Sequence, residues 1–195
     1  MRIRVFNLLL ILCLAGAAFF SCKRSTLQIE KAQEVDYIRR YVQKFLPGIT
    51  PTALGLYYKP IVVGDLTTDS IKSGDLVKVF YEGYLIQDTI GVGIKNGTMF
   101  DTSGDYEPFS FTVGGGGVIV GWEEGIRLMK DGGEAIWVLP SSLGYAAQAQ
   151  ASIPAYSPLI FHIKVYKVYR ATDVVPIIQK MPPGSPPILN NESIK

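Results

Sequence analysis

A glycine-rich stretch, Gly114–Gly125, surrounds an apolar segment, one tryptophan and two acids in the sequence GGGGVIVGWEEG. Glycine loops before a helix can bind phosphate, because their backbone N–H groups point towards the anion. A P-loop, however, ends in Gly-Lys-Ser/Thr, and the stretch contains neither a lysine nor a hydroxyl residue. A dinucleotide site would need a parallel strand–helix–strand unit, which the pattern of this chain does not predict. We therefore do not expect a nucleotide site here.

Other residue types that support catalysis or metal binding are scarce. The single histidine, His162, lies in Phe-His-Ile-Lys-Val, where strand alternation places it on the solvent side. Both cysteines, Cys13 and Cys22, lie close to the N-terminus, so zinc sites and Cys/His or Ser/His pairs lack partners. Glu123 and Glu124 could form a carboxylate pair, but a helix N-terminus also favours acids through its dipole. We expect no metal and no cofactor.

Aromatic residues form the remaining concentrated set. Each alone is most simply a core residue, but together they could line an apolar pocket: Tyr81, Phe100, Phe109, Phe111, Trp122, Tyr145 and Phe161.

The elements that must position these side chains are mostly strands. Apolar and β-branched runs predict strands at residues 56–59, 61–63, 76–85, 98–101, 109–113, 135–139 and 159–168. Pro60 indicates an edge strand or a break, and Asn96-Gly97 predicts a turn. A short helix at 122–129 places Trp122, Ile126 and Met129 on one side. These elements predict an α+β fold of antiparallel strands around one short helix.

A second helix is predicted at residues 25–46, ended by Leu-Pro-Gly. Its apolar stripe consists of Val35, Ile38, Val42 and Phe45. Such a stripe packs either on its own domain or against a second copy of the chain, and one helix does not decide between them.

Six sequence blocks recur in the order known from one family. They are VFYEGYL at 79–85, GTMFDTS at 97–103, PFSF at 108–111, VIVGWEEG at 118–125, LPSSLGY at 139–145, and IP at 153–154 followed by LIF at 159–161. On these blocks, residues 73–169 resemble the FKBP-type peptidyl-prolyl cis-trans isomerases, also called rotamases. The resemblance implies a twisted antiparallel half-barrel sheet wrapped around one short helix, here with an extra N-terminal helix.

The resemblance also implies the catalytic residues. The apolar pocket lining would be Tyr81, Phe109, Val118, Ile119, Trp122 and Phe161. Trp122 would form the floor beneath the proline ring, and Phe100 and Asp101 would form an aromatic wall and its acid. The Tyr145 hydroxyl and the Ile119 backbone N–H would hydrogen-bond the substrate, and Ile153 would be a loop contact. Macrolide-type ligands are a further implied partner.

Four departures from the family pattern concern the surroundings of the pocket, and the first three bear on substrate preference. About nine extra residues, centred on 87–95, would lengthen a hairpin or form a bulge beside the pocket. The loop from Tyr145 to Ile153 lacks the usual glycines, and residues 155–158 read Ala-Tyr-Ser-Pro. The run Gly114–Gly117 is longer than the pattern needs and is expected to make the pocket rim more mobile.

The N-terminus has the layout of a secretory signal peptide, with Arg2 and Arg4 before an apolar run that ends at Phe20. An uncleaved anchor is the alternative. Cys22 follows a small residue and resembles the lipid-attachment cysteine of bacterial lipoproteins. This resemblance predicts a lipid-anchored protein of the bacterial cell envelope that faces the periplasm. Loss of residues 1–21 removes both arginines, so the 19 basic and 17 acidic residues become equal in number. A nucleic-acid partner is therefore not expected.

We accordingly divide the chain into a signal peptide (1–21), a linker with the amphipathic helix (22–54), an isomerase domain (55–170) and a Pro-rich flexible tail (171–195). The expected function is isomerisation of X–Pro bonds in unfolded or partly folded exported proteins. The alternative is a chaperone or peptide-binding module on the same fold with little isomerase activity. A dimer through the N-terminal helix also stays open.

Overall fold

The structure is a computed structural model that describes residues 29–89 and 93–172. The predicted signal peptide, the attachment site at Cys22 and nearly all of the Pro-rich tail lie outside the described residues.

Two helices and six strands make up the described chain. They are α1 (residues 29–45), β1 (Tyr57–Val62), β2 (Leu76–Thr89), β3 (Gly93–Thr102), β4 (Phe109–Thr112), α2 (Val120–Arg127), β5 (Glu134–Leu139) and β6 (Leu159–Tyr169). A 3-10 turn, Ser141–Leu143, follows β5.

The strands form one antiparallel sheet in the order β1-β5-β6-β2-β3, and β4 pairs with β2. Strand β2 is central because β6 pairs along one side of it, over Leu76–Leu85. Its other side is shared by β4, at Leu76–Val79, and by β3, from Glu82 onwards. The predicted α+β class with an antiparallel sheet is confirmed.

The two helices pack on opposite faces of this sheet. Successive strand residues point to opposite faces, and β5 is buried on both. Ala135, Trp137 and Leu139 join the core around α2, whereas Val138 belongs to the core around α1. The predicted α2 stripe of Trp122, Ile126 and Met129 is buried in the first core. The α2 face therefore matches its prediction.

The buried stripe of α1 differs from the prediction. Ile38 and Val42 are buried, as expected, but Val35 is 65% exposed and Phe45 is 38% exposed. The face that packs on the sheet instead carries Glu34, Ile38, Tyr41, Val42 and, just beyond the helix, Leu46. The stripe is rotated because a buried glutamate takes a place that pattern reasoning gives to an apolar residue. Helix α1 packs on its own sheet, which is the intramolecular alternative.

The extra residues at 87–95 lengthen the β2–β3 hairpin, which was the first of the two predicted alternatives. Pairing continues through Gln87↔Lys95 and Asp88↔Ile94 to Thr89↔Gly93. The turn predicted at Asn96-Gly97 is wrong, since both residues lie inside β3. Gly97 is needed there for a close approach, because a Cβ on it would lie 2.8 Å from the Gln87 Cβ. Ile94 of this extension and Ile86, directly before it, pack under α1.

Strand β1 is an edge of the sheet, and its register shifts between Pro60 and Val62. Both features agree with the interpretation of Pro60, because proline cannot donate a ladder hydrogen bond.

Among the described residues, no helix has the length and apolar character that crossing a bilayer requires.

Candidate active site

One cavity of ≈ 370 Å³ opens on the α2 face of the sheet. This volume is within the roughly 300–1,000 Å³ range of small-molecule pockets. Nine of the ten predicted site residues line it: Tyr81, Phe100, Asp101, Phe109, Val118, Ile119, Trp122, Tyr145 and Phe161. They come from β2, β3, β4, β6, α2 and two loops, so the sheet register and the position of α2 bring them together.

Trp122 forms the floor of the cavity and is 5% exposed. Rings surround it at near right angles: Tyr81 at 5.0 Å and 86°, Phe161 at 5.4 Å and 89°, and Phe109 at 5.8 Å and 85°. Edge-to-face packing of this kind is favoured by the quadrupoles of the rings. The floor is therefore fixed by its neighbours and offers an apolar surface to a ligand.

Tyr81 and Asp101 form the polar wall. The Tyr81 hydroxyl donates to an Asp101 carboxylate oxygen over 2.7 Å, and the Thr102 backbone N–H donates to the other oxygen over 2.9 Å. Burial, followed by the hydrogen bond to Asp101, raises the pKa of the Tyr81 phenol. The phenol thus stays protonated at neutral pH, and the carboxylate is held in place as an acceptor.

The two hydrogen-bond donors that the family resemblance implies for the substrate are not used within the described part of the chain. The Tyr145 hydroxyl makes no hydrogen bond to a described residue, and neither does the Ile119 backbone N–H, directly before α2. Among the other lining rings, those of Phe100, Phe109 and Phe161 are apolar, Trp122 carries an indole N–H, and the Tyr81 hydroxyl is engaged by Asp101. The site therefore combines an apolar floor with two free donors and holds no described nucleophile–base pair.

Glycines allow the close packing that shapes the cavity. A Cβ on Gly83 would lie 2.7 Å from the Phe100 ring and 3.0 Å from the Phe161 ring. A Cβ on Gly125 would lie 2.8 Å from the Trp137 ring, and one on Gly121 would lie 2.7 Å from Leu139. Gly121 and Gly125 thus let α2 pack closely on β5. Gly83 was not singled out, although a glycine inside a strand is a known sign of close approach.

The run Gly114–Gly117 forms a turn that leads into the cavity wall. Gly114 and Gly116 have φ values of +82° and +71°, which residues other than glycine rarely adopt. The Gly114 backbone N–H donates to Glu123 of α2 over 2.7 Å. Gly116 and Gly117 themselves line the cavity, which the sequence reasoning missed. Their proximity to Val118 in the chain was the available signal.

Glu123 and Glu124 at the start of α2 have structural partners. Glu123 accepts from Gly114 and pairs with Arg127 over 3.3 Å, and Glu124 accepts from the Thr52 hydroxyl. Their interpretation as acids of a helix N-terminus agrees with these contacts. His162 is half-buried at the sheet surface, where its Nε2 lies 2.8 Å from Glu134.

Ile153 was predicted as a pocket contact, but it does not line the cavity. It is 5% exposed and belongs to the core around α2. The glycine-free loop before it closes on itself: Ile153 bridges Gln150, and Ala146 takes φ +51°. The Ala146 carbonyl accepts from the Tyr156 N–H over 2.7 Å, so this loop is tied back beside Tyr145.

Comparisons with known proteins agree with this geometry. The family model described as FKBP-type peptidyl-prolyl cis-trans isomerase matches residues 67–166. An FK506-binding protein of Neisseria meningitidis serogroup A is 41% identical over 98 residues, which are 49% of this chain and 82% of that protein.

Two solved structures resemble this chain over about three quarters of its length. FkpA from Escherichia coli aligns with a TM-score of 0.57 and 29% identity, over 79% of this chain and 70% of that chain. A peptidyl-prolyl cis-trans isomerase from Pseudomonas syringae pv. tomato aligns with a TM-score of 0.58 over 73% and 96% of the two chains. At 24% identity this second likeness concerns the fold.

The antiparallel sheet, the short helix packed on it and the aromatic cavity are features of an enzyme class that acts on peptidyl-prolyl bonds. The chain belongs to the FKBP-type peptidyl-prolyl cis-trans isomerase family. Its activity is isomerisation of peptidyl-prolyl bonds.

Proposed function

We propose that the cavity around Trp122 is where isomerisation takes place, and that its substrates are proline-containing segments of exported proteins. The observation that carries this proposal is the pairing of an apolar aromatic floor with two free donors, at Tyr145 and Ile119. A proline ring fits such a floor, and a peptide carbonyl on either side of it fits the donors.

The proposed mechanism follows from the origin of the barrier. Rotation about a peptide bond costs about 18–20 kcal/mol, because the twisted amide loses its resonance. The planar amide is the more polarised form, so an apolar cavity disfavours it relative to the twisted form. Aromatic walls shaped for the twisted state bind that state more tightly than either planar isomer. The substrate chain is held by the Tyr145 hydroxyl and the Ile119 N–H, while Asp101 is held by Tyr81.

The test compares two tyrosines that differ only in position. Tyr145→Phe removes a cavity hydroxyl, whereas Tyr156→Phe removes a hydroxyl outside the cavity lining. For the purified full chain, kcat/KM on a proline peptide should fall about threefold to tenfold in Tyr145→Phe, the range of one lost hydrogen bond. Tyr156→Phe should match wild type. Equal values for all three proteins would rule out the proposed role of Tyr145.

The proposed location is the bacterial cell envelope, through a lipid on Cys22 after removal of residues 1–21. The support is the sequence alone: a basic start, an apolar run and a cysteine after Ser21. In cells fed a labelled fatty acid, wild type and Cys13→Ser should incorporate label, and Cys22→Ser should not. Label in Cys22→Ser would contradict the anchor.

A chaperone-like or peptide-binding function is the second candidate. The observation in its favour is that several large apolar side chains of the isomerase domain are exposed, namely Met99 (49%), Tyr106 (98%) and Val120 (55%). Such side chains would bind unfolded chains whether or not they contain proline. Suppression of aggregation of a proline-free unfolded protein, retained in Tyr145→Phe, would support this function.

Two further partners belong to the proposal. Macrolide-type ligands would occupy the same cavity and should inhibit isomerisation competitively. A dimer through α1 would use its exposed side, which carries Ile29 and Val35, since the other side packs on the sheet. Sedimentation measures the mass of each protein in solution. If the dimer forms, wild type should sediment as a dimer and Val35→Glu as a monomer.

A further inference from the structure

We infer that Glu34 is a positioning residue for Tyr145, so that α1, outside the residues matched by the family model, is part of the working isomerase. The inference rests on the proposed role of Tyr145 in the cavity.

Glu34 is a buried carboxylate whose two oxygens have the same hydrogen-bond partner. The residue is 9% exposed, and both of its carboxylate oxygens accept hydrogen bonds from Ser141. The Ser141 backbone N–H donates to one oxygen, and the Ser141 hydroxyl donates to the other over 2.9 Å. Among the described residues, no basic side chain lies within ion-pair distance of Glu34. Burying an unpaired carboxylate is unfavourable unless hydrogen bonds compensate it, so these two bonds fix Ser141 firmly.

Ser141 in turn determines where the backbone around Tyr145 lies. Its carbonyl accepts from the N–H groups of Gly144 and Ala146, both over 2.9 Å, and these residues flank Tyr145 in the chain. The Tyr145 hydroxyl itself has no partner among the described residues. The hydroxyl is therefore placed by its backbone and packing, and a shift of Ser141 passes directly to Tyr145.

Helix α1 is a rigid support for this contact, because polar ties hold it to the β2–β3 extension. Arg40 pairs with Asp88 over 2.8 Å, and Lys44 donates to the Ile94 carbonyl over 3.0 Å. The Tyr41 hydroxyl donates to the Asn96 side chain. The extension thus holds α1, and α1 reaches the turn before Tyr145 from the face of the sheet opposite α2.

Removing the carboxylate should impair catalysis through Tyr145. Glu34→Ala leaves two buried donors of Ser141 without acceptors, so the turn relaxes. A displacement of about 1 Å at a reacting group can lower a rate by up to about 100-fold; for a single donor we expect kcat/KM to fall about fivefold. Glu34→Gln keeps an acceptor for the Ser141 N–H and should recover most of the activity. Ser141→Ala, which loses only the hydroxyl contact and should fold, should show a smaller decrease.

The test is a double-mutant cycle on the full chain, with kcat/KM measured for wild type, Glu34→Ala, Tyr145→Phe and the double variant. Sites that act independently give additive effects. If Glu34 acts through Tyr145, Glu34→Ala should lower kcat/KM in wild type but change it less than about twofold in Tyr145→Phe. Asp36→Ala, an exposed acid of the same helix, is the matched control and should retain wild-type activity.

The possible outcomes distinguish a failure of the proposed role of Glu34 from a failure of the proposed function of the cavity. Equal effects of Glu34→Ala with and without the Tyr145 hydroxyl, or no recovery in Glu34→Gln, would overturn the positioning role. Wild-type kcat/KM in Tyr145→Phe would overturn it as well, by removing the role of Tyr145 on which it depends. An inactive wild-type chain would instead contradict the proposed function of the cavity.

Discussion

The sheet carries α2 on one face and α1 on the other, and the two faces are packed with different types of side chain. The α2 face is packed with aromatic rings around Trp122, and glycines let the rings and backbones approach closely. The α1 face is packed with aliphatic side chains such as Ile38 and Val138, and polar ties such as Arg40–Asp88 surround them.

The difference indicates that the two faces have different roles, the α2 face forming the cavity and the α1 face supporting it. The family match covers the α2 face and its cavity, whereas α1 lies before residue 67, where the match begins. The faces nevertheless meet at Ser141, which Glu34 contacts from α1 and which lies four residues before Tyr145. A substitution on either face should therefore reveal whether the faces act separately or through that turn.

The largest effect is expected at the centre of the α2 face. Trp122→Ala should lower the free energy of unfolding by about 3–5 kcal/mol and abolish measurable isomerase activity, because it removes the cavity floor. Urea unfolding and peptide kinetics on the same samples measure both changes. Trp137→Phe is the control: Trp137 is buried, does not line the cavity, and its indole N–H has no partner in the described chain. An inactive Trp137→Phe would show that core packing alone governs activity.

The next largest effect is expected on the α1 face. Ile38→Ala should lower the free energy of unfolding by about 2–4 kcal/mol, since Ile38 is 7% exposed. Its kcat/KM should stay within about threefold of wild type, because the contact from Glu34 to Ser141 is retained. Val35→Ala, at a residue 65% exposed, should change stability by less than about 0.5 kcal/mol. Similar losses in both variants would contradict the observed rotation of α1.

A smaller effect on stability is expected at Gly83, where the α2 face is most crowded. Gly83→Ala would place a methyl group 2.7 Å from the Phe100 ring and should push that ring out of the cavity wall. We expect a cost of about 1–3 kcal/mol in stability, with a clear fall in kcat/KM. Gly117→Ala, where a Cβ would meet nothing within 4 Å, should leave the unfolding free energy unchanged. Unaltered kinetics in Gly83→Ala would mean that the Phe100 wall is dispensable.

The smallest effect concerns Asp75, where the ends of β2 and β6 meet. Burial opposes ionisation of Asp75, but the Lys72 backbone N–H and Arg170, at 2.7 Å, outweigh it and lower the pKa of this carboxyl. With a folded pKa below the ordinary value of about 3.9, its stabilisation is present above that pH and is lost as the pH falls through the folded pKa.

Asp75→Asn should therefore cost about 1–2 kcal/mol at pH 7 and less at pH 3. Urea unfolding at both pH values checks this, and Asp36→Asn, at an exposed ion pair, should cost little at either. A cost for Asp75→Asn that grows towards acid would reverse the assignment.

Much of the α2 face could be predicted from the sequence because its signals are local. The three-and-four spacing of Trp122, Ile126 and Met129 specifies a buried helix face, and alternation along β2 specifies which side chains share the cavity. The order of the motif blocks then identified the lining. Ile153 was misplaced because its loop lacks the expected glycines, and only the structure shows that it turns into the core.

The α1 face was harder to predict because its determinants are distant in the chain. Pattern reasoning places a glutamate in solvent, and the partner that buries Glu34 is Ser141, 107 residues away. Asn96-Gly97 likewise has the composition of a turn, but pairing with β2 and the contact with Tyr41 keep it inside a strand. In both cases a tertiary contact overrides a local preference.

The central claim is that the cavity around Trp122 catalyses rotation of the peptidyl-prolyl bond. Exchange NMR of an X–Pro peptide, which observes the cis and trans forms directly, tests it with catalytic amounts of the full chain. We predict exchange cross-peaks between the cis and trans forms with wild type and with Trp137→Phe. With Trp122→Leu, we predict an exchange rate no higher than that of the uncatalysed peptide. Cross-peaks of equal intensity with Trp122→Leu, in a chain shown to be folded, would contradict the account.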